Sequence, residues 1–142
     1  MGDSALQSKG NAVFQTALAD AVDFTSAIGQ LLVFSAGTPA VNSSSSVIST
    51  AIVLDCRKRV VAGNTYYDNV IGILGGLRGA YRAKIGTTAA LKFGDSLMQD
   101  TAGNLIKDAG TGTRVVCGVL AETDAVTGDL ASVVLFAPQT RS

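Results

Sequence analysis

"LKFGDSLMQDTAGNLIKD", Leu91 to Asp108, is the stretch whose reading decides the fold. A lysine and a Gly-Asp pair stand before an apolar run, and a second glycine turn follows. The pattern predicts a hairpin in which "SLMQD" pairs with "NLIKD" across Thr101–Gly103, with Gly103 in the left-handed conformation. Gly94 and Asp95 punctuate its entry. Glycine supplies the positive φ of a tight turn, and an Asx side chain can accept a hydrogen bond from backbone two residues on.

The same Gly-Asx signature recurs in "VVAGNTYY" (60–67), at Gly63, and in "AVTGDLAS" (125–132), at Gly128 and Asp129. Three uses of one turn device predict a meandering sheet or barrel. The echoes are too short for a solenoid repeat.

The strands follow from periodicity. "SVISTAIVLDC" (46–56) alternates, with Ile48, Thr50, Ile52, Leu54 and Cys56 on one face and Val47, Ser49, Ala51, Val53 and Asp55 on the other. "QLLVFSAG" (30–37) reads as a strand and "TPAVNSSSS" (38–46) as a loop. In "LRGAYRAKI" (77–85), Leu77, Tyr81 and Ile85 oppose Arg78, Arg82 and Lys84, a basic stripe about 7 Å apart along one strand face. Such a stripe is usually a solvated face and less often meets an acidic partner. "RVVCGVLAE" and "LASVVLFAP" are nearly continuous apolar runs. A small antiparallel fold normally keeps one face polar, so an arm, a loop or a neighbouring subunit should cover these strands.

The N-terminal part reads two ways. "NAVFQTALADAV" (11–22) places Val13, Phe14, Ala17 and Leu18 at helical spacing behind Asn11 as N-cap, a short amphipathic helix or docking arm. The alternative is a first strand starting near Ala21. The expected organisation is therefore an arm or short helix over 1–25 and an antiparallel β-barrel or sandwich-like domain over 26–142.

Composition agrees. Of 142 residues, 16 are glycine, 47% are hydrophobic and 15% charged, and the formal net charge is zero. Glu122 is the only glutamate, whereas aspartate, which favours turns, is common. A neutral, charge-poor surface predicts coverage by copies of the chain or by a partner. It carries no electrostatic footprint for nucleic acid. No apolar run is long enough to cross a bilayer as a helix, and "MGDSALQSKG" lacks the order of a secretory signal, so residence in a cytoplasm is expected. Cys56 and Cys117 lie in apolar runs, as inert buried thiols do, and a disulfide between them is the less favoured reading.

Catalysis finds little to work with. The chain has no histidine, its aspartates are scattered singly, and the cations beside Cys56 alternate away from it. No catalytic, cofactor-binding or metal-ligating residue is expected. Glycine-rich "GILGGLRGA" (72–80) lacks the Gly-Lys-Ser/Thr end of a phosphate loop and reads as a strand with a bend or bulge. "KFGDSL" resembles a segment of biotinyl and lipoyl domains, but their modified lysine sits at a hairpin tip in tripeptides such as Met-Lys-Met, which this chain lacks. Lys107, in "NLIKDAG", is the nearest approach.

The half from about Val70 to Pro138 resembles the capsid cement, or head decoration, proteins of tailed bacteriophages. Gly94, Asp95, Gly118, Val119, Gly128 and Asp129 are the matching positions. The resemblance implies a non-enzymatic β-barrel or sandwich protein of the virion, made in the host cytoplasm and bound outside an icosahedral head. Its partner would be the major capsid protein, and a homo-oligomer, with a trimer favoured by capsid three-fold sites, would stabilise the shell. Candidate capsid or subunit contacts are Val13, Phe14, Leu18, Arg78, Arg82 and Lys84. Another virion part, such as a tail-tube or head-fibre base protein, is the alternative, with the carrier domain as a second one.

Overall fold

The computed structural model describes the backbone of residues 13–18 and the whole of residues 22–142. Among these residues every regular element is a strand. In chain order the first six are β1 (Val13–Leu18), β2 (Leu31–Ser35), β3 (Thr38–Val41), β4 (Ala51–Val61), β5 (Asn64–Ile73) and β6 (Ala80–Lys84). Then come β7 (Leu91–Lys92), β8 (Ser96–Gln99), β9 (Leu105–Lys107), β10 (Arg114–Leu120), β11 (Asp124–Ala125) and β12 (Leu130–Arg141).

One sheet has the order β1-β5-β4-β2-β3, the other β6-β12-β10-β8-β9, and β7 and β11 form a small separate ribbon. The ladders between these strands are antiparallel. The two large sheets face each other without closing into a barrel, so the domain is a sandwich. Between them lies the main core. Leu31, Ile52 and Leu54 of the first sheet meet Val115, Cys117, Val133 and Leu135 of the second.

A second apolar cluster lies on the far side of the first sheet. Leu32, Val53, Cys56 and Ile71 are covered there by Phe24 and Ala27, with Val22 and Ile28 packed alongside. Residues 22–30 thus form a third layer.

No helix spans 11–22 where the chain is described. Residues 13–18 are a strand paired with β5 from Val13↔Gly72 to Leu18↔Tyr67; residues 11, 12 and 19–21 of that reading lie outside the described residues. The free edge of β5 offers a ladder of backbone partners, and that tertiary pairing outweighs a weak local preference for helix. Residues 38–41, read as loop, are likewise strand. β3 pairs with β2, Phe34 opposite Pro39, and a proline is tolerated there because β3 is an edge strand.

The alternation read along 46–56 breaks within β4. Val53 opposes Ile71 but Asp55 opposes Val70, so Leu54 is the extra residue of a β-bulge. Ile52 and Leu54 therefore face the core between the sheets, while Cys56 joins Val53 on the opposite face. Both cysteines are buried and free, with no disulfide.

The serine-rich loop after β3 is tied down by buried polar groups. Gln99 Nε2 donates to the carbonyls of Val47 (2.6 Å) and Ser44 (3.1 Å), and Gln99 Oε1 accepts from the Ser49 hydroxyl at 2.9 Å. Asn42 Nδ2 donates to Ser49 Oγ and to the Val47 carbonyl, both at 2.8 Å. A loop so fastened to the opposite sheet holds the two layers in register.

Candidate interaction surfaces

The hairpin over 96–107 has Leu97↔Lys107, Met98↔Ile106 and Gln99↔Leu105 as its pairs. Gly103 lies at its turn with φ +79°. A Cβ there would come within 2.6 Å of Val41 Cγ1 and 3.2 Å of the Leu31 and Asn42 carbonyl oxygens. The turn therefore packs against the first sheet, and the Leu31 N–H donates to the Gly103 carbonyl at 2.7 Å.

Gly94 and Gly128 sit in two turns of one design, with φ +88° and +92°. Asp95 N–H donates to the Lys92 carbonyl, while Lys92 N–H donates to Asp95 Oδ2 at 2.9 Å. Asp129 and Val126 repeat both bonds, the second also at 2.9 Å. Each carboxylate thus accepts from the backbone three residues earlier, not two residues later. Gly63 belongs to a different device, a two-residue connection between Val61 and Asn64 in which Ala62 (φ +51°) and Gly63 (φ +80°) are both left-handed.

Lys107 lies within β9 and pairs with Asp95, Nζ to Oδ2 3.4 Å, so it is not presented at a hairpin tip. The Lys92 N–H is the chief reason that the Asp95 carboxyl is held below its ordinary range, with Lys107 adding to it. Cys117 is fully buried and its thiol is pushed up to about 12 by loss of solvation; burial pushes Cys56 up as well. Among the described residues no three His, Cys, Asp or Glu side chains gather as a metal site.

The proposed contact residues fall in three places. Val13, Phe14 and Leu18 lie in β1, opposite Gly72, Ile71 and Tyr67. Arg82 and Lys84 lie in β6, but Arg78 precedes that strand, so the expected three-residue stripe is shortened to two. Arg82 Nη1 donates to the Leu130 carbonyl at 2.9 Å, which ties it to the neighbouring strand β12.

The outer face of the second sheet exposes apolar side chains on β12 beside the cations of β6. Along β12, Ala131, Val133 and Leu135 point into the core, so Leu130, Ser132, Val134 and Phe136 point outward. Val134 stands between Val119 of β10 and Ala80 of β6 and is 44% exposed; Leu130, beside Lys84, is 41% exposed. β10 is mostly buried, but β12 is half open.

The other prominent surface was not singled out from the sequence. The β4–β5 hairpin runs on past its neighbours among the described residues, and residues 57–64 are all exposed. Its tip carries Val60 (61% exposed) and Val61 (48%). Below the tip Arg59 grips Asp68 through two bonds of 2.8 and 3.0 Å and stacks over Tyr66 at 4.9 Å. Asp55, Arg57, Asp68 and Val70 line an open cleft of about 380 Å³ on the stem. The signal lay in "CRKRVVAGNTYY", where two apolar residues and a two-residue turn follow three cations.

Comparison with protein-family models, with curated proteins and with solved structures finds no match to this chain.

Proposed function

We propose that the protein is a structural component of a tailed-phage virion, a cement or decoration protein that binds the outer surface of an assembled capsid and stabilises it. The observation that carries this reading is the exposure of Leu130 and Val134 on the outer side of β12. The first sheet's outer face is covered by residues 22–30 of the same chain. The second is open along β12 among the described residues, where Leu130 and Val134 stand exposed beside Lys84 and Arg82 of β6, and an apolar strip with flanking cations is suited to docking on another protein. The partner would be the major capsid protein, with contacts between copies of the chain adding avidity on a shell of many identical sites. The role is one of attachment and not of catalysis.

A protein that binds the assembled shell and not its free subunits stabilises the shell by mass action. Purified heads lacking the protein, incubated with it and pelleted, should carry it down and resist heat better than bare heads. The Val134→Glu variant should remain folded, because the side chain points to solvent, and should sediment less. Failure of the folded intact protein, in excess, to pellet with heads would remove this reading; pelleting with tails instead would assign it to another virion part.

A further inference from the structure

Among the described residues, the outer half of β4 is an open strand edge. β2 pairs with β4 only at Ala51 and Ile52, and the last backbone bonds on that side join Val53 to Gly29 and Gln30. At the far end Val61 and Asn64 close a two-residue turn, so they form a hydrogen-bonded pair. Alternation then turns the backbone groups of Arg59 and Arg57 toward β5 and those of Lys58 and Val60 away from it. The Cys56 N–H, also on the outer edge, is taken by Asp55 Oδ1 at 2.9 Å. No described residue bonds the N–H or C=O of Lys58 or Val60.

The side chains along this edge are Arg57, Lys58, Arg59, Val60 and Val61. Arg59 is committed to Asp68. Arg57 touches only Asp55, at 3.3 Å, with 82% of its side chain exposed. Lys58, on the other face, lies near enough to Asp23 to favour that carboxylate but forms no ion pair with it; Asp23 is bonded by the N–H and hydroxyl of Thr25. Two cations and two exposed valines therefore stand along the edge beside backbone groups that no described residue bonds.

We propose that this edge binds an extended segment of another protein by strand addition, and that the segment carries acidic residues beside Arg57 and Lys58 and apolar residues beside Val60 and Val61. Backbone bonds to Lys58 and Val60 supply the attachment, and the charge-then-apolar order supplies the choice of partner. A second copy is disfavoured as occupant, because two β4 edges paired antiparallel about Lys58 set Arg57 against Arg59 and Lys58 against itself. Edge cations are a recognised guard against self-association. The inference concerns a surface separate from the apolar face of the second sheet and stands whether or not the partner belongs to a capsid.

The test uses the full chain labelled with ¹⁵N and two capped threonine-based peptides. One carries two adjacent glutamates followed by two adjacent valines, the other lysines in place of the glutamates; each is made in both chain directions. The glutamate peptide should slow amide exchange at Lys58 and Val60 by at least about tenfold while leaving Arg57 and Arg59, already bonded to β5, unchanged. The effect should fade at high salt, as exposed charges are screened. The lysine peptide should do neither. Val60→Pro removes an outward N–H and should abolish the response while keeping the β4–β5 ladder. The double variant Arg57→Glu, Lys58→Glu leaves the backbone intact and should reverse the preference between peptides, so it decides the matter even if the proline variant unfolds. No protection by the glutamate peptide, or equal protection by both, would overturn the proposal. Protection that rises with protein concentration alone would place a second copy on the edge and overturn it equally.

Discussion

Gln99 and Ser49 meet across fifty positions of sequence, the Ser49 hydroxyl donating to Gln99 Oε1 at 2.9 Å with both residues 2% exposed. One side chain in β8 thereby satisfies a hydroxyl and two carbonyls of the loop after β3. Gln99→Ala leaves the buried Ser49 hydroxyl without its acceptor and removes the Gln99 bonds to the Ser44 and Val47 carbonyls, although Asn42 still reaches Val47; a buried group left unsatisfied costs about 1–3 kcal/mol. The melting temperature should fall clearly, and urea titration should show the loss without any change in the strand signal of the native state.

Two glycines with similar φ should respond differently to the same change. Gly94→Val is expected to cost about 1–3 kcal/mol from backbone strain alone, since nothing lies within 4 Å of a Cβ there. Gly103→Val adds a collision with Val41 and two carbonyl oxygens and should cost more. Equal losses in thermal unfolding would mean that the hairpin turn does not press on the first sheet.

The thiols should be silent in the folded protein. Burial raises both, Cys117 to about 12, and only the thiolate reacts. A disulfide-exchange reagent at mildly alkaline pH should modify neither quickly, while denaturant should release both together.

Acid should loosen the turn before β8. The Asp95 carboxyl is held below its ordinary value of 3.8, so its stabilising contribution is full above that value and is lost as pH falls through the lowered one. The stability gap between the wild type and Asp95→Ala, measured by urea unfolding, should therefore be wide near neutrality and narrow in strong acid. A gap that does not change with pH would show that the carboxylate charge is irrelevant to the turn.

Deleting residues 1–22 should weaken the domain and not merely remove an attachment arm. The loss of β1 uncovers the edge of β5 along Tyr67–Gly72. A lower melting temperature and a tendency to associate are expected, because an open strand edge is a template for pairing. Light scattering and thermal unfolding of the truncated chain would check both.

Local chemistry was enough to read much of this protein. Gly94, Gly103 and Gly128 mark turns because few other residues accept positive φ, and the alternation of 96–107 around Gly103 specifies a hairpin whose partners are close in sequence. Burial of Cys56 and Cys117 likewise follows from their apolar neighbours. Tertiary structure decided what depends on distant strands. Residues 13–18 have apolar spacing that suits a helix, yet the free edge of β5 makes them a strand. A bulge at Leu54 turns Cys56 to the opposite face, and no periodicity within β4 announces it, since the bulge exists only in the pairing with β5. "RVVCGVL" and "ASVVLFA" read alike, but β10 lies between two strands at the centre of its sheet, whereas β12 has as its outer neighbour only the short β6, which sets Ala80 beside Val134. That small neighbour leaves the valine in solvent, so the exposed apolar surface comes from where the strand lies in the sheet and not from its composition.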